Sequence, residues 1–304
     1  MPPIHRLFSL VTCLLFTCTS PAQTLPASKT SSRMAALMND PEVAEISGLA
    51  SSRLHADVIW VHNDSFDKPM LYALSTAGKR LANVTIAGVE NIDWEDIAAF
   101  TLNGKSYLLI ADTGDNGGIR QTLQLHIVRE PEQLHDQTIH PQWSIRFRWP
   151  DGPRDCEAVA VDARRGEILL FGKKRVPADL LSLPLRPHDG VVHAARVVGA
   201  LAGIAQPNAE DLQRNPVYGR YRSQITAADI SPDGRILAVL NYRAAYIYRR
   251  RADEDWARAV ARPGTELVFP WLAQAEAIGF TSDGKGLWIS SERQPTPLLW
   301  QAIP

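Results

Sequence analysis

Acidic and polar residues recur in pairs two positions apart, each pair opening a short run of small residues. The first members are Glu45, Asp93, Asp155, Thr226 and Gln274, and the second are Ser47, Glu95, Glu157, Ala228 and Glu276. In a β-strand, residues two apart point to the same face, so each pair would project together. All but Ala228 are polar, and six are carboxylates. Like charges brought within a few ångströms raise one another's pKa unless a cation neutralises them. Convergence of these groups therefore predicts a bound metal. Oxygen donors dominate, with few histidines and no cysteine pair, which favours Ca²⁺ over Zn²⁺. The expected metal-binding set is Glu45, Asp93, Glu95, Asp112, Asp115, Glu157 and Glu276.

A second polar group follows each small-residue run. It reads His62-Asn63-Asp64-Ser65, Asp112-Thr113-Gly114-Asp115-Asn116, Lys173-Lys174-Arg175, Asn241-Tyr242-Arg243 and Ser291-Glu292-Arg293. If the two strands of each unit are antiparallel, these ends return to the mouth where the carboxylates begin. Lys173, Arg243 and Arg293 would there receive the anionic part of a substrate that carboxylates alone would repel. His62, Asn63 and Asp64 complete the expected substrate-binding set.

The elements that must position these residues form a repeat. Small-residue strands starting at 47, 95, 157, 228 and 276 each pass through a turn, such as Asn103-Gly104, Asp233-Gly234 or Asp283-Gly284, into a bulkier strand. Small residues suit the crowded innermost strand of a propeller blade, and Asn-Gly or Asp-Gly suits a tight hairpin. The sequence thus predicts an all-β protein, a β-propeller of five to six four-stranded blades. A sixth blade would fall within residues 201–222. Residues 43–304 form the propeller, and residues 23–42 close the last blade onto the first.

Residues 1–22 read as a signal peptide: basic His5 and Arg6, an apolar run from Leu7 to Phe16, and Ser20-Pro21-Ala22 before the cut. Lipidation at Cys18 is the alternative, carried by a loose lipobox at Leu15-Phe16-Thr17-Cys18. The mature protein is expected to be periplasmic or secreted, monomeric and without a membrane span. Cys156 then stands alone, so no disulfide scaffold holds the fold. A hydrophobic content of 45% suffices for a large core, and a net charge of −1 gives no bias toward nucleic acid.

Other motifs carry less. The segment 279–286 resembles a phosphate-binding loop, but Gly286 stands where Ser or Thr is required, and the segment reads as a hairpin. No Gly-x-Ser-x-Gly or His-Glu-x-x-His occurs. Cys156, between Asp155 and Glu157, sits in a field that raises its thiol pKa and blunts it as a nucleophile. The stretch from Asp112 to Gly118 has the composition of a plain turn, as well as that of a ligand loop.

The segments Glu-Ile-Ser-Gly-Leu-Ala-x-Ser at 45–52, Trp-x-His-Asn-Asp-Ser at 60–65, Asp-Trp-Glu-Asp-Ile-Ala at 93–98 and Ala-Asp-Thr-Gly-Asp-Asn at 111–116 resemble a group of exported bacterial propellers. That group is similar in pattern to phytase-like and esterase-like propellers and, more distantly, to gluconolactonase-type ones. The resemblance is good over residues 43–130 and thins to repeat-level similarity beyond. It implies calcium and hydrolysis of phosphate esters, although a complete phosphate-binding set of Lys and Arg does not map onto this chain. The expected function is a calcium-binding exported propeller that hydrolyses a small anionic ester, a phosphoester. The alternatives are a non-catalytic propeller that binds an envelope partner and a sugar-lactone hydrolase whose metal site would be Glu45, Asn63, Glu157 and Asp229.

Overall fold

A computed structural model describes residues 32–188 and 190–304. The leader, with Cys13 and Cys18, and residues 23–31 lie outside the described residues. Among the described residues no helix is long and apolar enough to cross a membrane.

Five antiparallel sheets stand as blades around a common axis. Blade 1 runs outward from Ile46–Ser51 through Val58–Asn63 and Met70–Ser75 to Arg80–Ile86, and blade 2 from Trp94–Leu102 through Lys105–Asp112 and Leu123–Arg129 to Pro141–Arg148. Blade 3 comprises Ala158–Asp162, Glu167–Phe171, Asp179–Pro184 and Arg196–Ala200, and blade 4 Ile225–Ile230, Ile236–Asn241, Ala244–Arg249 and Thr265–Val268. Blade 5 comprises Ala275–Phe280, Gly286–Ser291 and Thr296–Ala302, and its outermost strand is Ser32–Met38 from the other end of the chain. Blades 1 and 2 each gain a short parallel edge strand, Gln137–Ile139 and Val192–Ala194. Residues 201–222 hold a helix, α1 (Ala209–Arg214), and one 3₁₀ turn (Gly219–Tyr221) rather than a sixth blade.

The core is divided among the seams. Five buried clusters each draw from two neighbouring blades, such as Leu109, Leu125 and Phe147 of blade 2 with Val159, Ile168 and Leu170 of blade 3. Both faces of most inner and second strands are therefore buried, and they read as continuous apolar runs rather than alternating ones. Burying each large apolar side chain stabilises the ring by about 1.5–3 kcal/mol.

The inner strands must be small because they nearly touch at the axis. A Cβ on Gly48 would lie 2.9 Å from the backbone nitrogen of Ile97 in the next blade. Asp96 fills the axis itself. Its fully buried carboxylate accepts the N–H groups of Val159 (2.9 Å), Ala228 (3.2 Å) and its neighbour Ile97 (2.9 Å), tying blade 2 to blades 3 and 4. Asp229 likewise accepts the N–H of Phe280 (2.8 Å), tying blade 4 to blade 5. The channel here is filled by hydrogen-bonded carboxylates.

Candidate functional site

The site is built by a break in the inner strands. In blades 1, 2, 4 and 5 the pairing between first and second strands skips one residue: Ser47, Glu95, Thr226 or Glu276. Such a bulge re-aims the side chain it leaves unpaired. Glu157 takes the equivalent place in blade 3, just before the ladder begins at Ala158. The sequence expectation placed Ala228 in this column. The structure places Thr226 there, two residues earlier, because the blade 4 bulge falls between Ile225 and Ala227.

Beyond the bulge, one backbone hydrogen bond recurs and brings the second strand back to the mouth. Asp64 N–H donates to the Glu45 carbonyl (3.0 Å), Gly114 to Asp93 (3.1 Å), Lys173 to Asp155 (3.4 Å) and Glu292 to Gln274 (3.1 Å). Blades 1, 2, 3 and 5 therefore present the residue at the bulge position and the end of the second strand side by side.

Asp64, Asp93 and Glu95 offer carboxylate oxygens that all lie within 4.8 Å of one another, and Glu95, Asp155 and Glu157 do the same. Glu95 joins the two groups and is buried. The groups differ in how their charge is met. Glu157 is paired with buried Lys173, and Asp155 with Lys174 at 3.1 Å. Asp64, Asp93 and Glu95 form no salt bridge among the described residues. Burial, with the charges of Asp64 and Asp93, pushes Glu95 well above the usual carboxylate range. Burial and the charges of Asp64 and Asp155 push Asp93 up to about 6.

Gly114 lets the turn from Asp112 to Asn116 close over these groups, since a Cβ there would overlap both Glu95 Oε1 and the Asp93 carboxylate. On the other flank, burial and Glu276 raise Glu292 above its ordinary range, with Asp64 contributing. Tyr242 donates its hydroxyl to Glu276 (2.9 Å), and the Gln274 amide donates to Glu292.

Of the expected metal set, Asp93, Glu95 and Glu157 come together, and Glu276 stands beside Glu292 across the mouth. Glu45 lies at the rim, bridged through its backbone to Arg293. Asp112 is paired with Arg120 (2.7 Å), and Asp115 accepts the N–H groups of Ile119 (2.8 Å) and Arg120 (3.0 Å). These two hold the turn instead of joining the cluster. Of the expected substrate set, His62 is corrected to a structural role. It is fully buried against Gly48 and edge-on to Trp94, its Nδ1 lies 2.9 Å from the Asn63 carbonyl, and burial lowers its pKa. Asn63 braces the rim through the Glu42 carbonyl (2.8 Å).

Lys173 faces Glu157, Arg243 lines the pocket next door, and Arg293 is exposed at the rim. Asp64, assigned from sequence to substrate, and Asp155, left out of the metal set, are both cluster members. The lactone-hydrolase set does not assemble: Glu45, Glu157 and Asp229 form no such cluster among the described residues, and Asp229 is committed to backbone N–H groups. Burial pushes the Cys156 thiol up to about 12, which excludes it as a nucleophile near neutral pH.

No family model matches the chain, and no curated protein sequence matches it. Among solved structures it is similar to one described as "Crystal structure of Nidogen/Laminin Complex", at 14% identity and a TM-score of 0.44, over 82% of this chain and 73% of that one.

Proposed function

We propose that the protein is an exported propeller that holds a calcium ion at Asp64, Asp93 and Glu95 and hydrolyses a small anionic ester at that mouth. The observation that carries the proposal is the contrast within the cluster. Asp155 and Glu157 each have a lysine, while Asp64, Asp93 and Glu95 form no salt bridge among the described residues. Calcium takes oxygen ligands at about 2.3–2.6 Å, so donors on opposite sides of one ion stand about 5 Å apart, a span that fits this group. A bound ion of this kind lowers the pKa of a coordinated water and offsets charge on a reacting ester.

The remaining roles fall to side chains around the ion. Glu292, held protonated by burial and by Glu276, can donate a proton to a leaving oxygen. Tyr242 donates its hydroxyl to Glu276 (2.9 Å) and so fixes the position of that carboxyl beside Glu292. Lys173 neutralises Glu157, so an anionic substrate meets less repulsion on that side.

The test is the melting temperature of protein starting at Gln23, after EDTA and again with calcium restored. A ligand that binds only the folded state must raise it. Calcium should raise the midpoint of the wild type and not that of Asp93→Asn or Glu95→Gln. Only the calcium-loaded wild type should turn over an aryl phosphate. A calcium shift without turnover of any phosphoester would replace the catalytic half of the proposal with binding of an envelope partner. Absence of any shift would refute the metal site.

A further inference from the structure

Beside the acidic mouth lies a pocket of opposite character. It lies between the α1 insertion of blade 4 and the loop leading into the inner strand of blade 5. Tyr218, Tyr242, Trp271 and Leu272 supply its apolar walls, and Arg214, Arg222 and Arg243 stand around it against a single carboxylate, Asp211. Two of these guanidinium groups are engaged: Arg222 with Asp211 (2.8 Å) and Glu266 (3.3 Å), and Arg214 with Glu210 (2.9 Å). The Arg222 bridge ties α1 to the outer strand of blade 4 and makes that wall rigid.

Arg243 makes no ion pair among the described residues. Trp271 is 67% exposed, whereas the other tryptophans are buried or half-buried. A large aromatic face left in water beside an unpaired guanidinium is suited to a flat ring bearing a negative charge, because the two contacts act on opposite ends of such a ligand.

We infer that this pocket holds an aromatic anion, the aryl part and charged group of the substrate, next to the carboxylate mouth. The two sites share walls. Tyr242 lines the pocket with its side chain and reaches Glu276 with its hydroxyl, and Gln274 lines the pocket while its amide reaches Glu292. A ligand seated against Trp271 and Arg243 is thereby placed beside the Glu276 and Glu292 carboxyls. The pocket stands on its own geometry, and its role in placing substrate rests on the function proposed above. The cationic pocket also supplies what the acidic mouth lacks, an attraction that brings an anion to it.

The test is calorimetric titration with phenylphosphonate, whose C–P bond is not an ester and cannot be hydrolysed, against methylphosphonate as the ringless control. Both titrations are made in EDTA, so that the pocket is read separately from the metal site. Phenylphosphonate should bind at least tenfold more tightly than methylphosphonate. Arg243→Gln and Trp271→Ala should each weaken it at least tenfold with melting temperature unchanged, since neither side chain is buried. Equal binding of the two phosphonates, undiminished binding to either variant, or no binding would overturn the inference. Aromatic selectivity in EDTA together with no calcium shift in melting temperature would keep the pocket and remove the metal proposal. A calcium shift without that selectivity would do the reverse.

Discussion

The carboxylate of Asp96 accepts the backbone N–H of Ala228, 132 residues away in blade 4, at 3.2 Å, and the same oxygen accepts that of Val159 in blade 3 at 2.9 Å. With Ile97, three N–H groups near the axis depend on one side chain. Leaving a buried donor without its acceptor costs about 1–3 kcal/mol. Asp96→Ala is therefore expected to lower stability by about 3–5 kcal/mol, and Asp96→Asn by less, because the amide keeps one accepting oxygen. Urea denaturation checks this. An Asp96→Ala loss below about 1 kcal/mol would show that the axis does not depend on this residue.

Lys173 and Glu157 form a buried pair at the mouth. Removing one partner of such a pair leaves an uncompensated buried charge and costs about 3–5 kcal/mol, more than removing both. Lys173→Met should therefore destabilise the protein more than the double variant Lys173→Met/Glu157→Gln. If the double variant is the less stable, the pair contributes by packing and not by charge.

Two carboxyls, one in the cluster and one near the axis, also fix a direction of pH dependence. Asp93 and Asp229 are each pushed up to about 6 by burial, above the ordinary value of 3.8. A group whose folded pKa exceeds its unfolded one binds a proton more readily when folded. Its contribution is complete below pH 3.8 and is lost as pH rises through about 6. EDTA-treated protein should therefore melt lower at pH 7.5 than at pH 5 in a buffer series of constant ionic strength. Asp93→Asn should flatten part of this slope. Calcium competes with the same protons, so its stabilisation should shrink on acidification through pH 6.

Much of the blade architecture was legible in the sequence because packing at the axis admits few residue types. Gly48, Ala98, Ala160 and Gly279 mark inner strands, and Asp-Gly turns mark the hairpins that follow in blades 4 and 5. The blade 4 register was not legible, since Thr226-Ala227-Ala228-Asp229 offers two small-residue alignments, and only the bulge after Ile225 selects one. The same bulges break the two-residue period at the mouth, and nothing in the alternation of Asp93-Trp94-Glu95-Asp96 shows that Asp96 accepts N–H groups from two other blades. Charge partners depend on contacts between loops. That Lys173 neutralises Glu157 while Asp64 joins the acidic group is visible only once the second strands return to the mouth.

Gly114 offers the sharpest separation of metal site from fold. It lies where any side chain would press on Glu95 Oε1 and the Asp93 carboxylate, while its backbone N–H donates to the Asp93 carbonyl (3.1 Å) and its carbonyl accepts from Arg120 Nη1 (2.7 Å), hydrogen bonds that alanine also makes. The added methyl must displace the two carboxylates or the turn, at an overpacking cost of about 1–3 kcal/mol. Ligand atoms held within 4.8 Å of one another cannot absorb that displacement and keep one ion between them. Gly114→Ala is therefore expected to retain the far-ultraviolet circular dichroism of the wild type, melt a few degrees lower in EDTA, and lose at least tenfold in calcium affinity. Wild-type calcium affinity in this variant would place the ion elsewhere than Asp93 and Glu95.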